Sequence, residues 1–90
     1  MNIYLLDGKD MTDRETAYCV IERVLGFPEW FGHNLDALAD CLSELPTEKT
    51  AIVFVNTGIL LENLGAYAEK VLACFRALTD EYGITWIEKT

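Results

Sequence analysis

Ninety residues with 51% hydrophobic side chains suffice for one folded domain with a modest core, and the whole span 1–90 reads as that single domain. Fifteen acidic residues against seven basic ones leave a net charge of -8, which works against nucleic acid or an anionic membrane as partner and favours fast encounter with a basic one. No stretch approaches the ~18 apolar residues of a membrane span. The opening "MNIYLLDGKD" has no basic leader and no long apolar run, so it does not read as a signal peptide and a cytoplasmic location is expected. Within it, "NIYLL" (2–6) is a short apolar run closed by "DG", the pattern of a strand. "TDRE" then offers a capping box, in which the Thr12 hydroxyl accepts from the Glu15 amide and the Glu15 carboxylate reaches back to the Thr12 amide. Ala17, Val20, Ile21, Val24 and Leu25 follow at helical spacing, and Gly26 supplies a left-handed C-terminal cap.

The loop "FPEWFGH" comes next, with Pro28 disfavouring α conformation at Phe27. Asn34 is placed to cap a second helix over about 35–44, which Pro46 ends. Leu35, Leu38, Cys41, Leu42 and Leu45 form its apolar face. "AIVFV" (51–55) is a continuous apolar strand, suited to the middle of a sheet or to burial on both faces. "ILLENL" predicts a short helical turn. Val71, Cys74, Phe75 and Leu78 mark a longer helix from Ala66 to about Glu81, Gly83 ends it, and "ITWIE" is the last strand. The order β-α-α-β-α-α-β gives crossovers long enough for parallel strands, connected right-handedly. The expected fold is therefore α/β in two layers, with a three-stranded parallel sheet in order 1-2-3 and about four helices on one face.

Cys19, Cys41 and Cys74 each lie in an apolar helical run without CxxC spacing, and they read as reduced, buried small hydrophobes. With one histidine and cysteines so dispersed, no metal site and no cofactor are expected.

The chemistry of the chain concentrates in "EWFGHNLDALADCL" (29–42). At about 100° per residue, Asp36, Asp40 and Glu44 fall within about 80° on the outer side of the second helix, bordered by Ala39 and Ser43. Like charges at i,i+4 cost roughly 0.2–0.5 kcal/mol, and no basic residue lies between Arg23 and Lys49 to relieve them. A solvated face complementing the helix dipole explains Asp36 better than Asp40, since the dipole fades after the first turn. Paired catalytic carboxylates lack a neighbouring group to split their proton affinities. A patch that presents carboxylates to Arg and Lys of a partner fits the aromatics Trp30 and Phe31 in the preceding loop, although loop aromatics also fold back as core plugs.

The same segment, aromatic-aromatic-Gly-x-Asn-Leu-Asp-Ala-Leu-x-Asp-Cys-Leu, resembles the hallmark of the barstar family of intracellular ribonuclease inhibitors, and the similarity extends through "VLACFRAL" and "GITWI". The resemblance implies three parallel strands in the order read above. It also implies a monomeric non-enzyme that plugs the active site of a basic extracellular-type ribonuclease or toxin nuclease, as an inhibitor or immunity protein and without nucleic acid or membrane as partner. Carried over by position, the contact residues are Trp30, Phe31, Gly32, Asn34, Leu35, Asp36, Ala39, Asp40, Ser43 and Glu44, with Asp40 in the place of an RNA phosphate. The best-known member has Tyr at the position of Trp30, Trp at that of Ala39 and an acid at that of Ala77. A non-inhibitory acidic module for a basic partner is the alternative. His33 reads as an exposed loop histidine; the alternative is that its protonation below about pH 6.5 adds positive charge beside a basic target and weakens binding.

Overall fold

The computed structural model describes residues 2–46 and 49–90. Its elements are β1 (Asn2–Asp7), α1 (Arg14–Leu25), α2 (Leu35–Ser43), β2 (Thr50–Val55), α3 (Thr57–Leu64), α4 (Ala66–Tyr82) and β3 (Thr85–Glu88), with a 3-10 turn at Gly8–Asp10. The three strands are parallel in the order β1-β2-β3, as expected.

Strand periodicity decides what each face of the sheet does. Leu6, Ile52 and Phe54 point to the helices and are buried, with Tyr4 and Trp86 packed beside them. The opposite face carries the row Leu5–Val53–Ile87, in register across all three strands, with Ile3 beside Ala51. Ile3 is 66% exposed, Leu5 58% and Ile87 43%, so this face is open. The continuous apolar run of β2 therefore reflects its central place in the sheet, with helices on one side only.

Gly26 and Gly83 take left-handed conformations (φ 70° and 72°) and end α1 and α4 where expected. The start of α1 differs from the expected capping box. Asp13, not Thr12, is the cap, and its carboxylate accepts from the Thr16 amide at 2.8 Å. "TDRET" offers two overlapping frames, and an aspartate ranks above a threonine as cap. Glu15 is drawn away to His33. The cysteines also divide. Cys41 is buried and Cys74 half-buried, but Cys19 is exposed. It lies on the opposite side of α1 from the stripe of Ala17, Ile21 and Val24, so burial of its neighbours does not extend to it.

"ILLENL" belongs to a longer helix than expected, since α3 begins at Thr57. Asn56 precedes it with φ 56°, and its side-chain amide donates to the Asp7 carboxylate at 2.7 Å, tying the ends of β1 and β2 together. Gly8 lies buried against this corner, and a methyl group there would stand 2.2 Å from the Asn56 carbonyl oxygen. Gly8→Ala is expected to cost roughly 1–3 kcal/mol of stability by overpacking, measured as a lower midpoint of urea unfolding with unchanged slope.

One hydrophobic core joins α1, α2, α4 and the covered face of the sheet. Phe75 of α4 stacks on Trp86 (centroids 5.2 Å apart, 13° between planes) and meets Phe54 edge-on at 6.0 Å. Arg76, one residue on, reaches Glu88 of β3 through Nε and Nη2 at 2.6 Å each, which lowers the Glu88 carboxyl pKa. α2 packs against α4 through Leu38, Cys41 and Leu42, which are buried, so its other side faces outward.

Candidate functional site

The outward side of α2 is set by its start. Asn34 caps the helix, its side-chain oxygen accepting from the Ala37 amide at 2.8 Å, as the sequence predicts. This fixes the rotation that places Asp36, Asp40 and Glu44 in solvent, with Ser43 exposed and Ala39 and Leu35 half-buried at the edges. The Ser43 hydroxyl donates to the Asp40 carbonyl at 2.6 Å, so it serves the last turn of the helix. Among the described residues, neither Asp36 nor Asp40 takes part in an ion pair. Their carboxylates stand one turn apart on a rigid rod, open to a partner.

The preceding loop splits the two aromatics. Trp30 is 73% exposed. Phe31 is only 4% exposed and packs edge-on against Phe27 and Tyr18 at 5.1 and 5.9 Å. Of the two loop aromatics, Phe31 folds back as a core plug, its ring anchoring the loop and leaving Trp30 outside. Gly32 is exposed beside the Asn34 cap. The site therefore has a flat aromatic surface at one end and carboxylates along the helix.

His33 also differs from its expected place. It is half-buried and stacks on Tyr18 at 6.0 Å. Its Nδ1 lies 2.5 Å from Glu15 Oε1 and its Nε2 lies 3.2 Å from Glu22 Oε1, both on α1. The Glu15 hydrogen bond, with Glu22 in support, raises the imidazole pKa above its ordinary 6.5. Tyr18, under the ring, bonds through its hydroxyl to that of Tyr67, and Arg14 lies 3.9 Å over the Tyr67 ring. Each ring nitrogen of His33 thus faces its own carboxylate on α1.

The linkage has a definite sign. A folded-state pKa raised above the unfolded one stabilises fully below about pH 6.5 and fades as pH rises through the folded value. In buffer containing a chelator, the stability difference between wild type and His33→Gln is expected to be largest at pH 5.5–6 and to shrink towards pH 9, measured by urea unfolding across about that range. A constant difference would contradict the double pairing.

Sequence reasoning missed the contacts of Glu15, Glu22 and His33. Their separations of 18 and 11 residues match no local motif, and only the i,i+7 placement of Glu15 and Glu22 on one side of α1 hinted at a shared partner. Glu15, Cys19 and His33 also bring three metal-type donor atoms within 4.8 Å of one another, a grouping that the spacing arguments did not anticipate.

The described residues thus display carboxylates without ion pairs and an exposed tryptophan, and leave no buried side-chain polar atom without a hydrogen-bond partner. Residues 1–88 match the model of the Barstar family, described as "Barstar (barnase inhibitor)", and the chain belongs to that family. It is also similar to a Bacillus subtilis (strain 168) protein named "Putative ribonuclease inhibitor YrdF". The two are 32% identical over 81 residues, which span 90% of this chain and 89% of that protein.

Proposed function

We propose that this chain inhibits a ribonuclease by seating the acidic side of α2 and the Trp30 loop in the enzyme's basic substrate cleft. The observation that carries this reading is the pair Asp36 and Asp40, exposed, one turn apart and without ion pairs among the described residues. Membership of the barstar family and likeness to a protein named as a ribonuclease inhibitor support it.

The chemistry is substitution of one polyanion for another. A ribonuclease holds RNA phosphates with Arg and Lys. Carboxylates on a helix offer the same charge and accept paired hydrogen bonds from guanidinium groups, but contain no bond that the enzyme can cut. Helix mounting limits the ordering cost on binding. Trp30 supplies a stacking surface at the rim, and Leu35, Gly32 and the small Ala39 and Ser43 allow close approach. Asp40 takes the place of the scissile phosphate. Ala39 and the exposed, uncharged Ala77 of α4 leave less bulk and charge than the best-known family member has, so the preferred target differs from that member's. The chain works as a cytoplasmic monomer against a basic secreted-type ribonuclease or toxin nuclease, and performs no catalysis itself. The net charge of -8 speeds capture, giving an association rate that falls steeply with salt.

Titration of a small basic microbial ribonuclease with the chain tests this. RNA cleavage is expected to fall linearly to zero at one chain per enzyme. Binding that leaves cleavage intact contradicts inhibition and favours a non-inhibitory module.

A further inference from the structure

Away from the acidic side of α2, the junction between α1 and the loop collects a second kind of chemistry. Glu15 and Cys19 are one turn apart on α1, both exposed, and His33 reaches across to them from the loop. The carboxylate oxygen, the thiol sulfur and an imidazole nitrogen all lie within 4.8 Å of one another. Ligands around one tetrahedral ion with bonds of about 2.0–2.3 Å stand roughly 3.3–3.8 Å apart, so small side-chain shifts, including an opening of the 2.5 Å contact between Nδ1 and Glu15, seat an ion here. We infer that Glu15, Cys19 and His33 form a binding site for a thiophilic divalent cation such as Zn²⁺, with a water as fourth ligand.

An independent feature supports the assignment. A ligating histidine ordinarily offers its second ring nitrogen to a carboxylate, which fixes the ring and raises its basicity. Here Nδ1 faces Glu15 at 2.5 Å, and Nε2 is held by the Glu22 carboxylate at 3.2 Å. Stacking on Tyr18 at 6.0 Å sets the ring plane. Nδ1 is therefore the ligand and Glu22 the positioning residue. The ion enters between Nδ1 and Glu15, and the proton held between them and the Cys19 thiol proton both pass to solvent. One thiolate and one carboxylate then balance the two positive charges. The mixed sulfur, nitrogen and oxygen set selects Zn²⁺ or Co²⁺ over Mg²⁺, which prefers oxygen ligands and retains its water. Bound there, the ion joins α1 to the loop that carries Trp30. The inference does not depend on which partner the chain binds.

Co²⁺ titration of the reduced, metal-free chain tests the site, because a thiolate ligand gives a near-ultraviolet charge-transfer band. The band is expected to saturate at one ion per chain, to be bleached by Zn²⁺ and unaffected by Mg²⁺, and to accompany a rise in melting temperature. Cys19→Ser, a substitution at an exposed position that preserves folding, abolishes the band, whereas Cys74→Ser retains it. Glu22→Gln retains it with about 10–100-fold weaker affinity. A chain that gives no band, or a band that survives Cys19→Ser, overturns the inference.

Discussion

Asp40→Ala is expected to weaken ribonuclease inhibition by roughly 2–5 kcal/mol, about 30-fold to several thousandfold in Kd. The magnitude follows from what is left behind. In the proposed complex the Asp40 carboxylate meets basic groups that have lost their water. Truncation strands those groups without a partner, and their desolvation is no longer offset. The free protein should respond with the opposite sign. Asp36 and Asp40 repel across one helical turn without a counter-ion among the described residues, so removing Asp40 raises stability by a few tenths of a kcal/mol. Asp36→Ala gives a smaller loss of inhibition and no gain in stability, because Asp36 also complements the N-terminal dipole of α2. Inhibition constants paired with urea unfolding for both variants check this. Loss of stability in parallel with loss of inhibition would mean that Asp40 supports the fold and not the contact.

The largest effect on the fold is expected at Phe75. Phe75→Ala should cost about 3–5 kcal/mol, out of the roughly 5–15 kcal/mol typical of a whole domain. Phe75 is fully buried and joins three rings from three elements: its own on α4, Phe54 on β2 and Trp86 on β3. Its removal leaves a cavity under the centre of the sheet. Trp86 cannot swing in to fill that cavity without giving up its indole hydrogen bond to Glu88 at 3.0 Å. Glu88 in turn holds Arg76, so the loss extends to the tie between α4 and β3. Phe75→Leu keeps most of the volume and should cost less than about 1.5 kcal/mol. Urea unfolding monitored by Trp86 fluorescence distinguishes the two. Equal small losses would show that the ring cluster contributes little.

What was legible in the sequence was local. Gly26 and Gly83 mark helix ends because a left-handed residue is needed within one turn, and Asn34 marks a start for a similarly short-range reason. The apolar runs placed all three strands, and the acidic side of α2 followed from helical geometry once Asn34 fixed its beginning. What was not legible was long-range competition. Thr12 and Asp13 both fit a cap, and the choice was made by Glu15 leaving for His33, 18 residues away. Adjacent Trp30 and Phe31 have the same hydrophobic character, and only the pocket formed by Phe27 and Tyr18 decides which one turns inward. The exposure of Cys19 was available from the stripe of α1, since a residue between Tyr18 and Val20 faces away from Ile21 and Val24. Its meeting with His33 was not, because no spacing rule connects a helix to a loop that returns over it.

The central claim is that the acidic side of α2 and RNA occupy one place on the enzyme. The most direct measurement uses a catalytically impaired basic ribonuclease holding a fluorescent, uncleavable oligonucleotide. Added chain is expected to displace the oligonucleotide completely, one chain per enzyme, while Asp40→Ala requires a concentration at least about 30-fold higher. A ternary complex of enzyme, oligonucleotide and chain would contradict the claim.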